Sequence, residues 1–225
     1  MTETEWVGCI DPEPMLESVR GWVSDRKLRL FACACCRRVW NALTNERGRY
    51  AIEVVERFVD GLASDEEVEA ASAAATPASP TPWMDIWFMP PVYAASGETT
   101  LAAARAADLA AARTACIDYP WEVCKGLFEN VRAGERKWQA ALLRDIIGNP
   151  FRPSALDRSW QCWNGGQVPR IAQAVYDERR FADLPMLGGI LEEAGCTETE
   201  VLAHCREPST HARGCWVIDL LLNKS

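Results

Sequence analysis

DRKLRLFACACCRRVWNALTN, residues 25–45, carries Leu28, Phe31, Cys35, Val39 and Leu43 at a spacing of three to four residues. That period places them on one stripe of an α-helix. Cys33, Cys36 and Trp40 form a second stripe beside the first, so this helix is expected to be covered on much of its circumference. A helix buried that widely needs helices on several sides, and the flanking sequence supplies them.

Upstream, Asp11, Pro12 and Glu13 read as an N-cap, a proline at the first helical position and an acid at the positive helix end, with Gly21 as the stop. Ser24 precedes the quoted helix. Downstream, Asn45 opens a helix with Ala51, Val54, Val55 and Phe58 on one face and Gly61 at its end. Ser64 with Glu67 forms a capping box for an alanine-rich helix that fades near Ala75. Residues 1–75 therefore read as an N-terminal helical bundle.

Residues 76–97 read as a connector, because prolines at 77, 80, 82, 90 and 91 forbid a long helix. Trp83, Trp87 and Phe88 within it are costly to leave in water together. They read either as a strap packed across the protein or as a partner-binding segment. Residues 98–225 read as a C-terminal helical region, which can be continuous with the N-terminal part. Residues 99–119 suit a helix ending at Pro120, and a longer stretch, 121–147, is weakened by Gly126 and Gly134 and so reads as one helix or two. Pro169 opens a further helix, Leu184–Ala194 another, and Thr197 with Glu200 caps a third. The last element, residues 212–222, reads as a helix from its neighbours. No pair of β-branched runs alternates around a tight turn, so the expected class is all-α, an irregular multi-helix assembly.

The segments KLRLFACACCRRVWNALT, ALLRDIIGNPFRP, WNGGQVPRIAQAVYDERRF and HARGCWVIDLLL resemble a paralogous family of uncharacterised proteins from planctomycete bacteria. The resemblance spans both ends of the chain and leaves residues 70–115 unmatched. It implies a folded protein and brings no catalytic residue with it.

The chain has 225 residues, enough to bury a core without staples, so size does not account for its ten cysteines. The opening MTETEWVGCIDPEP has neither the basic nor the apolar region of an export signal, and no stretch approaches the ~18 apolar residues of a membrane span. A cytoplasmic protein with reduced thiols and no membrane segment is expected. A net charge of -8 argues against nucleic acid as a partner, since phosphate binding needs a basic face. A protein partner stays open, and the oligomeric state is not legible.

The chemistry concentrates near the C-terminus. Cys196, His204, Cys205, His211 and Cys215 include both histidines of the chain and three thiols within twenty residues. Sulfur and imidazole are the ligands zinc prefers, which points to one structural zinc. His204 and Cys205 are adjacent and diverge by about 100° on a helix, so only one of them can ligate. The other reading makes the cysteines core filler and the histidines helix-end caps. The C-x-x-C pair Cys33 and Cys36 sits in mid-helix among apolar residues, away from the exposed helix N-terminus that redox pairs need, and reads as packing. Asp145, Asp157 and Asp219 read as caps or as partners for Arg144, Arg152 and Arg158. No phosphate loop, dinucleotide fingerprint, zinc-protease motif or nucleophile elbow is present, and no residue is assigned a catalytic role. Two functions follow: a non-enzymatic helical interaction module, or a metal-dependent regulator or enzyme centred on the cysteine and histidine cluster.

Overall fold

The computed structural model describes residues 1–76 and 121–224, apart from 42, 44, 156 and 209. Those residues form helices and connecting turns, with no strand among them. The connector segment with Trp83, Trp87 and Phe88, and the helix expected over 99–119, lie outside the described residues. The chain divides into two compact units, Met1–Ala140 and Ala141–Ser225.

In the N-terminal unit the helices are α1 (Glu3–Gly8), α2 (Pro12–Val19), α3 (Asp25–Arg38), α4 (Glu46–Phe58) and α5 (Asp65–Ala75), together with most of α6 (Trp121–Ile147). Their starts follow the caps in the sequence. Asp11 Oδ1 accepts from the Glu13 N–H, Ser24 Oγ from Lys27 and Asn45 Oδ1 from Arg47, while Ser64 and Glu67 close a reciprocal box. α1, a helix not expected from the sequence, opens on the same kind of box, formed by Thr2 and Glu5. The stretch read as one helix or two is a single helix of 27 residues.

Of the two stripes, Phe31, Cys33, Cys35 and Cys36 have 1% or less of their surface exposed, whereas Leu28 and Trp40 are half-buried; α3 ends at Arg38, short of the expected run, so Val39, Trp40 and Leu43 lie beyond it. Glu56 of α4 is buried, and Arg37 grips it with two hydrogen bonds, Nη2 to Oε2 at 2.7 Å and Nε to Oε1 at 3.2 Å. A paired fork of this kind offsets the desolvation that a lone buried carboxylate would suffer. Arg136 of α6 reaches Asp11 Oδ1 at 2.6 Å and Glu13 Oε1 at 3.2 Å, tying α6 to the start of α2.

The C-terminal unit holds the end of α6, then α7 (Arg158–Cys162), a 3₁₀ turn at Trp163–Gly165, α8 (Gln167–Glu178), a second 3₁₀ turn at Phe181–Asp183, α9 (Leu184–Glu193), α10 (Thr199–Arg206) and α11 (Trp216–Leu222). α8 is the centre of this unit, packing on α7, α9 and α11, while α9 packs on α10. Val168, Ala172, Val175 and Tyr176 of α8 meet Leu184, Leu187, Leu191, Val201, Val217, Ile218 and Leu221 in one apolar core. α10 begins one residue later than the expected capping box, with Glu198 at its N-cap and no side-chain cap bond from Thr197.

Candidate metal centre

Three stretches of the C-terminal unit deliver the site. The first is the last turn of α6, where Asp145 lies between the buried Leu142, Leu143 and Ile146 and is itself 3% exposed. α6 stops directly after it: Gly148 adopts φ +77°, and its N–H bonds the Arg144 carbonyl at 2.9 Å. The second is α10, whose last turn carries His204. The third is the loop into α11, which holds His211 and Cys215.

His211 and Cys215 were expected one helical turn apart. They are instead brought together by a turn in which the Cys215 N–H bonds the Ala212 carbonyl at 3.0 Å and Gly214 takes φ +96°. Between them, Arg213 lies over the ring of the fully buried Tyr176 at 4.6 Å, pinning the loop to the core. Cys215 is the N-cap residue of α11 and is completely buried.

The four side chains converge. One ligand atom each from Asp145, His204, His211 and Cys215 lies within 4.8 Å of all the others. His211 Nδ1–H donates to Asp145 Oδ1 at 2.6 Å, and His204 Nε2 lies 3.2 Å from the same oxygen. His204 Nε2 also lies 3.1 Å from Cys215 Sγ. The second carboxylate oxygen of Asp145 accepts the Ala212 N–H at 2.9 Å. The two imidazoles meet edge to face with centroids 4.9 Å apart.

Charge follows from this geometry. Burial alone would raise the Asp145 carboxyl, but hydrogen bonds from His204 and His211 outweigh it and hold the group below its ordinary range. Burial would lower His211, yet its hydrogen bond to Asp145 and the carboxylate charge outweigh that and raise it. Both His211 nitrogens face acceptors, Asp145 at Nδ1 and the Glu207 carbonyl at Nε2, 3.4 Å away, as an imidazolium requires.

This group can hold a metal ion. Four ligands at about 2.0–2.3 Å around a tetrahedral ion stand roughly 3.3–3.8 Å from one another. The separations here, from 2.6 Å to no more than 4.8 Å, bracket that range. The same geometry speaks against a cysteine–histidine nucleophile. Such a relay uses opposite imidazole nitrogens for thiol and carboxylate, whereas one nitrogen of His204 faces both, and the thiol is sealed from solvent.

Of the five residues singled out from sequence, the structure brings together His204, His211 and Cys215. Cys196 and Cys205 lie instead in the apolar core of the unit. The Cys205 thiol is pushed up to about 12 by burial, with smaller contributions from its surroundings. Asp145, 59 residues before His204, was read only as a cap or arginine partner. The signal that marks it is a carboxylate set between Leu142 and Ile146 on an apolar helix face. In the N-terminal unit, burial first and the Glu56 carboxylate second raise the Cys36 thiol far above its ordinary range, the opposite of what a redox cysteine needs.

No helix among the described residues is long and apolar enough to cross a membrane. No protein-family model matches the chain, no curated protein matches it, and no solved structure matches it.

Proposed function

We propose that the protein is a non-enzymatic helical interaction module whose C-terminal unit is stapled by one zinc ion held by Asp145, His204, His211 and Cys215. The observation that carries the zinc reading is the convergence of four ligand atoms from three separate stretches within 4.8 Å. Charge supports it. An ionised Asp145 and a Cys215 thiolate with two neutral imidazoles compensate a dication in full, which is the condition for burying one. The donor set of one oxygen, two nitrogens and one sulfur suits zinc better than magnesium or calcium, which take oxygen ligands.

A catalytic zinc would need a coordination position open to substrate. The near-complete burial of Asp145, His211 and Cys215 favours a closed structural site instead. The interaction reading rests on the missing catalytic motifs and on the Trp83, Trp87 and Phe88 segment. It fails if an alanine scan of those three residues leaves every cellular association of the protein unchanged.

The zinc reading is tested by elemental mass spectrometry on untagged protein purified without chelator, beside a His211→Ala, Cys215→Ser double variant. One zinc per chain is expected, lost in the variant together with thermal stability. A wild-type protein that folds and contains no metal, and takes up none from added zinc, overturns it.

A further inference from the structure

One contact of the centre runs against ligation. The Trp216 indole Nε1–H donates to His204 Nδ1 at 3.1 Å. An indole nitrogen only donates, so His204 Nδ1 presents its lone pair and the ring hydrogen sits on Nε2. Nε2 is the atom that faces Asp145 and Cys215. A metal-bound histidine keeps its hydrogen on the far nitrogen and gives it to a carboxylate, carbonyl or water. His211 is arranged that way, with Nδ1 toward the cluster and Nε2 toward the Glu207 carbonyl. His204 is arranged the opposite way.

For His204 Nε2 to bind a cation, that nitrogen must lose its hydrogen and Nδ1 must carry one. The Nδ1–H would then point at the indole N–H, donor against donor. Trp216 has little freedom to turn aside. Its ring covers the backbone of Gly148, where even a built Cβ would come within 3.1 Å of Cγ. The ring also leans on His204, with centroids 5.2 Å apart and planes at 58°.

We propose, resting on the zinc reading, that Trp216 is a positioning residue that weakens the centre: by holding His204 in the form with hydrogen on Nε2, it makes metal uptake displace a hydrogen bond and so keeps occupancy reversible. The site is then a responsive one, filled or emptied according to the available zinc, rather than a staple set permanently at folding.

The test is a competition titration of zinc against a chromophoric chelator, using the full chain as wild type and as Trp216→Phe. Phenylalanine keeps an aromatic ring on Gly148 and removes the N–H. Deleting one neutral hydrogen bond that opposes binding is expected to tighten zinc affinity by roughly three- to tenfold. A purely packing role for Trp216 predicts the reverse, because a looser pocket binds less well. Unchanged or weaker binding in Trp216→Phe therefore overturns the proposal while leaving the zinc centre standing. A wild type that binds no zinc overturns both.

Nitrogen-15 spectra of the histidines in the metal-free wild type supply a second arm that does not depend on the variant folding. His204 is expected with its hydrogen on Nε2, moving to Nδ1 when zinc is added. A hydrogen on Nδ1 in the metal-free protein overturns the proposal.

Discussion

Without metal, Asp145 and His211 form a buried hydrogen-bonded pair that is an ion pair while His211 is protonated, and its two shifts act on stability in opposite pH directions. The Asp145 carboxyl is held below its ordinary value of 3.8, so its contribution is complete above that pH and is lost as pH falls through the lower folded value. His211 is raised above its ordinary value of 6.5, so its contribution is complete below that pH and is lost as pH rises through the higher folded value. Both are complete only between 3.8 and 6.5. Zinc reverses the upper limb, because its ligands must shed protons and binding strengthens as pH rises. Urea denaturation across a pH series, in chelator and in excess zinc, is expected to give profiles of opposite slope above pH 6.5, the ordinary value of His211. Asp145→Asn should lower stability by about 3 kcal/mol inside the window, since it leaves His211 without its buried partner, and should flatten the chelator profile. A wild-type chelator profile that climbs steadily from pH 5 to 8 would contradict the ion pair. This centre was legible in part. His204, His211 and Cys215 lie within twelve residues, and their side-chain chemistry suits a metal. Asp145 comes from another helix, and a thiol in a core, as at Cys196 and Cys205, has the same letter as a thiol on a ligand shell.

Among the elements, local chemistry marked the helix starts and tertiary packing decided the rest. Ser24, Asn45 and Ser64 cap where their side chains suggest, because a cap is satisfied within three residues. The continuity of α6 through Gly126 and Gly134 was not readable, since a glycine costs only about 1 kcal/mol in a helix and long-range burial on the other face outweighs it. Two glycines in helices therefore make opposite predictions. A Cβ at Gly134 meets nothing within 4 Å, so Gly134→Ala should stabilise the protein by about 0.5–1 kcal/mol through helix propensity alone. A Cβ at Gly188 would stand 2.9 Å from Cys205 Cβ, where α9 and α10 touch. That atom cannot swing away as the end of a long side chain can, so the helices must part, and Gly188→Ala should cost about 1–3 kcal/mol. Thermal denaturation of the two variants checks both signs. If Gly188→Ala proves neutral, the close approach of α9 and α10 is wrong.

Across the whole molecule, the two units differ in what holds them. The core of the N-terminal unit is apolar, from Trp6 and Met15 to Phe31 and Ile52, and its buried carboxylates are paired with arginines, Glu56 with Arg37 and Glu135 with Arg38. The metal-ligand group lies wholly in Ala141–Ser225. A ligand that binds only the folded form stabilises it by about 2.7 kcal/mol at a hundredfold excess over its dissociation constant. In a unit this short, 1 kcal/mol moves the melting temperature by about 4–8 °C, so saturating zinc should raise the transition of the C-terminal unit by roughly 10–20 °C. The N-terminal transition is expected to stay in place, because Met1–Ala140 contributes no residue to the ligand group. Calorimetry of the full chain in chelator and in zinc should therefore show one transition moving past or away from another that stays in place. Hydrogen exchange assigns them: zinc should slow exchange in α8 through α11 and leave α2 through α5 unaffected. A common shift of both transitions, with protection gained evenly along the chain, would mean that the molecule melts as one body and that the metal's influence reaches well beyond the turn that holds His211 and Cys215.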